Sequence, residues 1–338
     1  MTATPPDSRP PDGSCYLAVD AGNSKTDALL LDGTGALLAW GRAGTGDIYT
    51  GVESATAEVR RAVDTALGAL PPGGRVVHAA LRLAGVDWPE DEALWRRVID
   101  TWGLPADSSV LNDGFASIRL AALDGVGLSV TAGTHSAFAG RGPEGAEFGM
   151  NMWTMHTMGA FALGQEAFRA VGLALLGMAP ETVLSERLAA HFQVADAAAV
   201  IHARHCREWT VSEADFPRLA PLVTAAAVDG DAVARRIIAE QGRTFADYAA
   251  TVAARVGFAA DDAVRVALNG SVARAPGSPL AAAIVEELGA RLPNVVVVVE
   301  RVPPVVGAAL DALAEGGVAV DEPLARRLIT AVEAAEAS

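Results

Sequence analysis

Leu17-Ala18-Val19-Asp20-Ala21-Gly22-Asn23-Ser24-Lys25-Thr26-Asp27-Ala28 is the stretch that decides the fold. Two short apolar runs, residues 16–20 and 27–31, flank a polar stretch of small residues. This is the pattern of two strands joined by a glycine-containing turn. A third run, residues 36–40, follows Asp32-Gly33-Thr34-Gly35 and extends the hairpin to a meander. Helical periodicity then covers about 52–70, with a buried strand near 76–83, a helix near 90–102, a strand near 109–111 and a helix from about 114 to 123. Three strands in a meander followed by alternating helices and strands describe one mixed-sheet α/β lobe, residues 15–124.

The opening stretch has an echo. Leu128-Ser129-Val130-Thr131-Ala132-Gly133-Thr134-His135-Ser136-Ala137-Phe138-Ala139 again sets a polar residue, then Ala-Gly, then a polar turn after a short strand. Such internal similarity is the mark of a duplicated fold, with a second lobe over residues 125–315. Within it, about 154–256 is almost entirely helical and rich in Ala and Leu, which reads as a helical insertion. The sheet resumes at 264–268 and 295–299, with helices near 279–292 and 304–313, and residues 316–338 hold a final helix. Two lobes also suit a chain of 338 residues.

Composition narrows the function classes. Hydrophobic residues make up 51% and charged residues 20%, as in globular proteins. The net charge of −15 repels polyanions, which argues against nucleic acid or an acidic membrane as partner. An anionic nucleotide would have to be held locally, by backbone N–H groups, helix N-termini and Mg²⁺. The 2 cysteines, Cys15 and Cys206, form no CxxC pair, so a disulfide framework or zinc ribbon is not expected and a reducing, cytoplasmic setting is. Residues 1–14 contain Pro, Ser and Asp without an apolar core, and read as a disordered leader. No apolar run approaches the length of about 18 residues that a membrane span needs. His202, His205 and Cys206 share a helical face, for which a solvated surface is the expected role.

Four motifs could carry chemistry. In Asp20-Ala21-Gly22-Asn23-Ser24-Lys25-Thr26-Asp27, a turn of small residues can offer N–H groups and hydroxyls to a phosphate, while Asp20 can hold Mg²⁺ through water. In Val110-Leu111-Asn112-Asp113-Gly114-Phe115-Ala116, a carboxylate at a strand-to-helix junction can orient an acceptor hydroxyl and take its proton. Thr131-Ala132-Gly133-Thr134-His135-Ser136 offers a second phosphate-gripping turn, and Leu268-Asn269-Gly270-Ser271-Val272-Ala273 a crossing where small side chains admit an adenosine. Taken singly, each also suits a plain structural role, because Asp, Asn, Gly and Ser are the usual formers of turns and helix caps. The P-loop pattern GxxxxGK[ST] is absent from the sequence.

The order of these motifs, closed by Pro303-Pro304-Val305-Val306-Gly307-Ala308-Ala309, resembles that of the actin-like ATPases. Together with Leu83-Ala84-Gly85-Val86-Asp87 it is similar to the N-acetylglucosamine kinases and their relatives, the benzoyl-CoA reductase activator type ATPases, over about 16–313. The resemblance implies two ribonuclease H-like lobes around a nucleotide cleft, with ATP and Mg²⁺ as cofactors and a homodimer as the assembly. It implies that Asp20 and the turn Gly22, Asn23, Ser24, Lys25 and Thr26 hold the phosphates and Mg²⁺, with Gly133 and Thr134 as a second phosphate contact. Gly270 and Ser271 would meet the adenosine. Asp113 would be the catalytic base, and Asp47, Asn112, Asp113, His135 and His156 would line the acceptor site.

Several positions depart from that pattern, and they gather at the acceptor. His156 stands where the family usually has a carboxylate, and Gly44-Thr45-Gly46-Asp47 lacks an Asn that contacts sugar. His135 replaces a glycine, and Asn269-Gly270 replaces a double glycine. The expected activity is an ATP-dependent kinase reaction that transfers the γ-phosphoryl group to a hydroxyl of a sugar or amino sugar, N-acetylglucosamine kinase-like with an altered acceptor pocket. The alternatives are a non-catalytic nucleotide- or sugar-binding sensor of the same fold, and an ATPase that activates a redox partner through a cluster shared by two subunits, whose ligands Cys15 and Cys206 do not fit.

Overall fold

The computed structural model describes residues 13–208, 210–299 and 301–337; of the leader read at 1–14, residues 1–12 lie outside them. In chain order the strands are β1 (Ser14–Ala21), β2 (Thr26–Asp32), β3 (Leu37–Ala43), β4 (Arg75–Leu83), β5 (Ser109–Asn112), β6 (Gly127–Ala132), β7 (Ser136–Arg141), β8 (Glu147–Gly149), β9 (Val264–Asn269) and β10 (Val295–Val299). The α-helices are α1 (Val52–Leu67), α2 (Pro89–Asp100), α3 (Ile118–Ala121), α4 (Gly159–Leu175), α5 (Leu184–His191), α6 (Ala197–His205), α7 (Phe216–Val228), α8 (Ala232–Arg255), α9 (Pro279–Arg291), α10 (Val305–Glu315) and α11 (Glu322–Glu336). Ser14, assigned to the leader from sequence, opens β1 and is buried, because the parallel pairing with β4 reaches back to Arg75.

The chain divides into two compact units. The first runs to Ser129 and adds Ala139–Arg141 and the chain from Val302 onward; the second comprises Val130–Phe138 and Gly142–Arg301. The strand orders are β3-β2-β1-β4-β5 in one sheet and β8-β7-β6-β9-β10 in the other. Counted by appearance, both sheets read 3-2-1-4-5, so the echo between residues 17–28 and 128–139 is a repeated topology.

In the first sheet β1 pairs antiparallel with β2 and parallel with β4, and β4 pairs parallel with β5. Because successive side chains alternate, β1 serves two cores. Leu17, Val19 and Ala21 pack with Val59 of α1 and Trp95 of α2. Tyr16 and Ala18 pack on the opposite face with Val306, Leu310 and Leu313 of α10 and Leu328 of α11. This is why residues 15–19 read as an unbroken apolar run. Each fully buried Leu here contributes about 1.5–3 kcal/mol. The sequence reading closed the second lobe at 315, whereas α10 covers β1 and β4 and belongs with α11 to the first unit.

Ionic contacts tie α10 to that sheet. Buried Arg82 donates to Asp311 Oδ2 through Nε (3.2 Å) and Nη2 (2.8 Å), and to Glu315 Oε1 at 2.8 Å. Arg119 and Arg141 reach Asp311 Oδ1 at 2.6 and 3.3 Å. In the second unit the helices fill the 154–256 stretch as expected. Two glycines let them approach closely: a Cβ on Gly164 of α4 would lie 2.0 Å from the Phe216 carbonyl oxygen of α7, and one on Gly242 of α8 2.6 Å from Ala283 Cβ of α9.

Candidate functional site

In the first unit the β1–β2 turn is closed by Gly22 N–H donating to the Lys25 carbonyl at 2.9 Å, with Ala21 opposite Thr26 and Asp20 opposite Asp27. The β3–α1 connection lies against this turn. Gly46 N–H donates to the Gly22 carbonyl at 3.1 Å, and the buried Thr26 hydroxyl donates to the Gly44 carbonyl at 2.9 Å. Asn23 and Ser24 are exposed at the tip. Asp47 accepts from Tyr49 N–H at 2.9 Å and caps the short 3₁₀ turn Ile48–Thr50.

The register across β1, β4 and β5 sets Ala21, Leu83 and Asn112 in one row, so three parallel strands end together. The carboxyl ends of parallel strands are where open α/β sheets bind ligands. Asp20 stands on β1 one residue before that row, while Asp87 follows β4 and Asp113 follows β5. Gly85, between β4 and Asp87, holds φ +80°, and a Cβ there would lie 2.7 Å from Ile48 Cγ1 and 3.0 Å from Asp47 Oδ1, so that loop closes against Asp47 only as glycine.

Asn112 and Asp113 differ in what they do. Asn112 Oδ1 accepts from Gly114 N–H at 2.8 Å, capping the 3₁₀ helix Asp113–Ser117, and Asn112 Nδ2 donates to Asp87 Oδ1 at 3.0 Å. The cap is therefore Asn112. Burial, then the Asp87 carboxylate and more weakly Asp47, push the Asp113 carboxyl up to about 7, against the Gly114 N–H. Burial, Asp113 and Asp27 hold the Asp20 carboxyl well above its ordinary value, with Lys25 pulling the other way.

In the second unit, Gly133 and Gly270 meet. The Gly270 Cα lies 3.9 Å from where a Cβ on Gly133 would stand, and a Cβ on Gly270, at φ +96°, would lie 2.4 Å from the Ala132 carbonyl carbon. Val272 and Ala273 N–H both donate to the Ala132 carbonyl, at 3.0 and 3.2 Å, and Thr131 Oγ1 donates to Asn269 Oδ1 at 2.7 Å. Gly133 N–H is committed to the His135 carbonyl at 3.0 Å. The Gly133 and Thr134 carbonyls accept from Ala160 and Phe161 N–H at 2.8 and 3.0 Å, at the start of α4. Thr134, His135 and Ser271 are exposed. The His135 ring stacks on Phe161. His156 is also exposed, in a loop where Tyr248 accepts from Met155 N–H at 2.7 Å and lies 3.0 Å from His156 Nδ1.

A family profile, that of the BadF/BadG/BcrA/BcrD ATPase family, matches residues 17–312. The chain belongs to this ATPase family. No curated protein matches it. Among solved structures, a candidate N-acetylglucosamine kinase from Chromobacterium violaceum is similar with a TM-score of 0.61 and 22% identity, over 88% of this chain and 98% of that one. Another candidate N-acetylglucosamine kinase, from Porphyromonas gingivalis, has a TM-score of 0.59 and 14% identity, over 89% and 99%. The ROK hexokinase of Thermus thermophilus has 0.50 and 18%, over 89% and 98%. At these identities the likeness is one of fold, the α/β fold with two five-stranded sheets found in the actin-like sugar kinases.

Of the residues singled out from the sequence, Asp20, Gly22–Thr26, Asp47, Asn112 and Asp113 gather in the first unit of this family member. Gly133, Thr134, His135, Gly270 and Ser271 gather in the second, with His156 held by α8. Asp87, the last residue of the motif Leu83–Asp87, acts on Asp113 and is held by Asn112. The available signal was its position: a carboxylate a few residues past a buried strand parallel to β1.

Proposed function

We propose that this member of the ATPase family is a kinase that transfers the γ-phosphoryl group of ATP to a hydroxyl of a sugar or sugar-like small molecule. The observation that carries the reading is Asp113, a carboxyl at the end of β5 raised to about 7. A general base works best with a pKa near the operating pH, and an acceptor hydroxyl needs such a group within hydrogen-bond reach. Asp113 would accept the hydroxyl proton. Asp87 and Asn112 would keep that carboxylate basic and aimed, and Asp47 would contact the acceptor; in the second unit, His135 and His156 are the residues proposed to contact it. The turn Gly22–Lys25 would meet the β- and γ-phosphates through the backbone N–H groups at its tip, Asn23 and Ser24, and the Lys25 ammonium. Gly133, Thr134, Gly270 and Ser271 would meet the rest of the nucleotide, where only glycine allows backbone to approach so closely.

The donor set suits Mg²⁺. Asp20 is a hard oxygen ligand whose carboxyl is raised by burial first and then by the Asp113 and Asp27 carboxylates, and a divalent cation would favour its ionised form. Asp20 would hold the ion through water, since Mg²⁺ gives up its hydration shell reluctantly. When bound, Mg²⁺ supplies charge neutralisation of the phosphates. The altered residues at His135 and His156 support an acceptor other than N-acetylglucosamine, because a changed hydrogen-bonding partner leaves hydroxyls of the original sugar unmatched. ADP release measured over a panel of amino sugars, hexoses and cyclitols tests the proposal. At least one acceptor is expected to stimulate it; nucleotide binding with no acceptor-dependent turnover would instead support a sensor.

A further inference from the structure

Asp27 lies directly opposite Asp20 in the β1–β2 register, so the two carboxylates project from the same face of the sheet. Like charges so placed destabilise a strand pair unless one is compensated. Asp27 is heavily compensated. Its side chain is 1% exposed; Oδ1 accepts from Trp40 Nε1 at 2.8 Å and Arg42 Nε at 2.6 Å, while Oδ2 takes Arg42 Nη2 at 3.4 Å and Lys25 Nζ at 2.7 Å. Arg42 is itself fixed, its guanidinium lying 4.7 Å from the Trp40 ring centroid.

The two cations differ in role. Arg42 and Trp40 lock the carboxylate from β3, whereas Lys25 stands in the turn and its side chain is 44% exposed. An ammonium has three donors, and the short bond to Oδ2 uses one. We infer that Asp27 is a positioning residue, which, braced by Arg42 and Trp40, holds the Lys25 ammonium at the turn as a preorganised cation for the terminal phosphates of a nucleoside triphosphate. A lysine left free would lose rotamer entropy on ordering, and Asp27 removes much of that loss before the ligand arrives. The inference rests on the nucleotide-binding reading above and assigns to Asp27 a part in it.

The test uses the full chain with Mg²⁺ and compares binding of AMPPNP and adenosine by calorimetry. Lys25→Met is expected to weaken AMPPNP at least tenfold and leave adenosine unchanged. Asp27→Asn is expected to weaken AMPPNP threefold or more, and to add nothing in the Lys25→Met background, since its effect passes through Lys25. An Asp27→Asn loss that persists without Lys25, a gain in affinity, or unchanged binding by Lys25→Met overturns the inference while leaving the nucleotide reading intact. A wild-type chain that binds no AMPPNP overturns both. Lys25 is half-exposed in a turn, so Lys25→Met is expected to fold even where Asp27→Asn does not, and it decides the phosphate contact by itself.

Discussion

Asn112 donates its amide to Asp87 at 3.0 Å, and Asp87 in turn is the leading charge acting on Asp113. One side chain thus caps the 3₁₀ helix that presents Asp113 and also holds the carboxylate that keeps Asp113 basic. Neither task needs Asn112 to touch substrate.

Removing the Asp87 charge should therefore act on pH dependence before anything else. In Asp87→Asn the Asp113 carboxyl loses its strongest repulsive neighbour and ionises more readily. The acidic limb of kcat/KM for the acceptor should move to lower pH, from about 7 in the native chain. An unmoved limb would show that Asp87 does not act on the base.

Glu315 predicts the opposite sign in stability. Burial pushes its carboxyl up, but the hydrogen bond from His78, the charge of Arg82 and the Ser109 hydroxyl together bring it down to about 2. Its folded pKa lies below the unfolded value, so its contribution is present above about 4.5 and is lost as pH falls toward 2. Thermal unfolding of Glu315→Gln should show a lower Tm at pH 7 and a smaller further drop between pH 4.5 and 3 than the native chain. Asp113, raised rather than lowered, makes the free protein less stable as pH rises from 4 through 7.

Gly270 tests the second unit. Alanine there must adopt φ +96° with its Cβ 2.4 Å from the Ala132 carbonyl carbon, so the turn has to move. A cost of about 1–3 kcal/mol is expected, read as a lower Tm. Because the turn carries Ser271 against the Gly133 strand end, nucleotide affinity should fall as well, which calorimetry would measure. Gly145, a positive-φ glycine whose Cβ meets nothing within 4 Å, is the control for strain without a clash.

Much of the fold was legible because strand and helix periods are local. The runs at 16–20 and 27–31, and the echo at 128–139, gave the hairpins of both sheets. The membership of α10 was not legible. Its apolar residues show that it is buried but not on which sheet, and the deciding partners, Arg82 with Asp311 and Glu315, are separated by more than two hundred residues. At the site, the junction Asn112-Asp113 was visible while which of the two caps the 3₁₀ helix was not, since either residue type can cap. Asp87 was overlooked because its meaning comes from the parallel register of β1, β4 and β5, which no local pattern encodes.

The account stands most directly on Asp113. Phosphoryl transfer to the best acceptor of the panel should be compared between the native chain and Asp113→Asn, with AMPPNP affinity measured alongside. Loss of the base predicts a kcat lower by about 10²–10⁴-fold with nucleotide affinity retained. A variant that keeps kcat within a few-fold of the native chain would contradict the assignment.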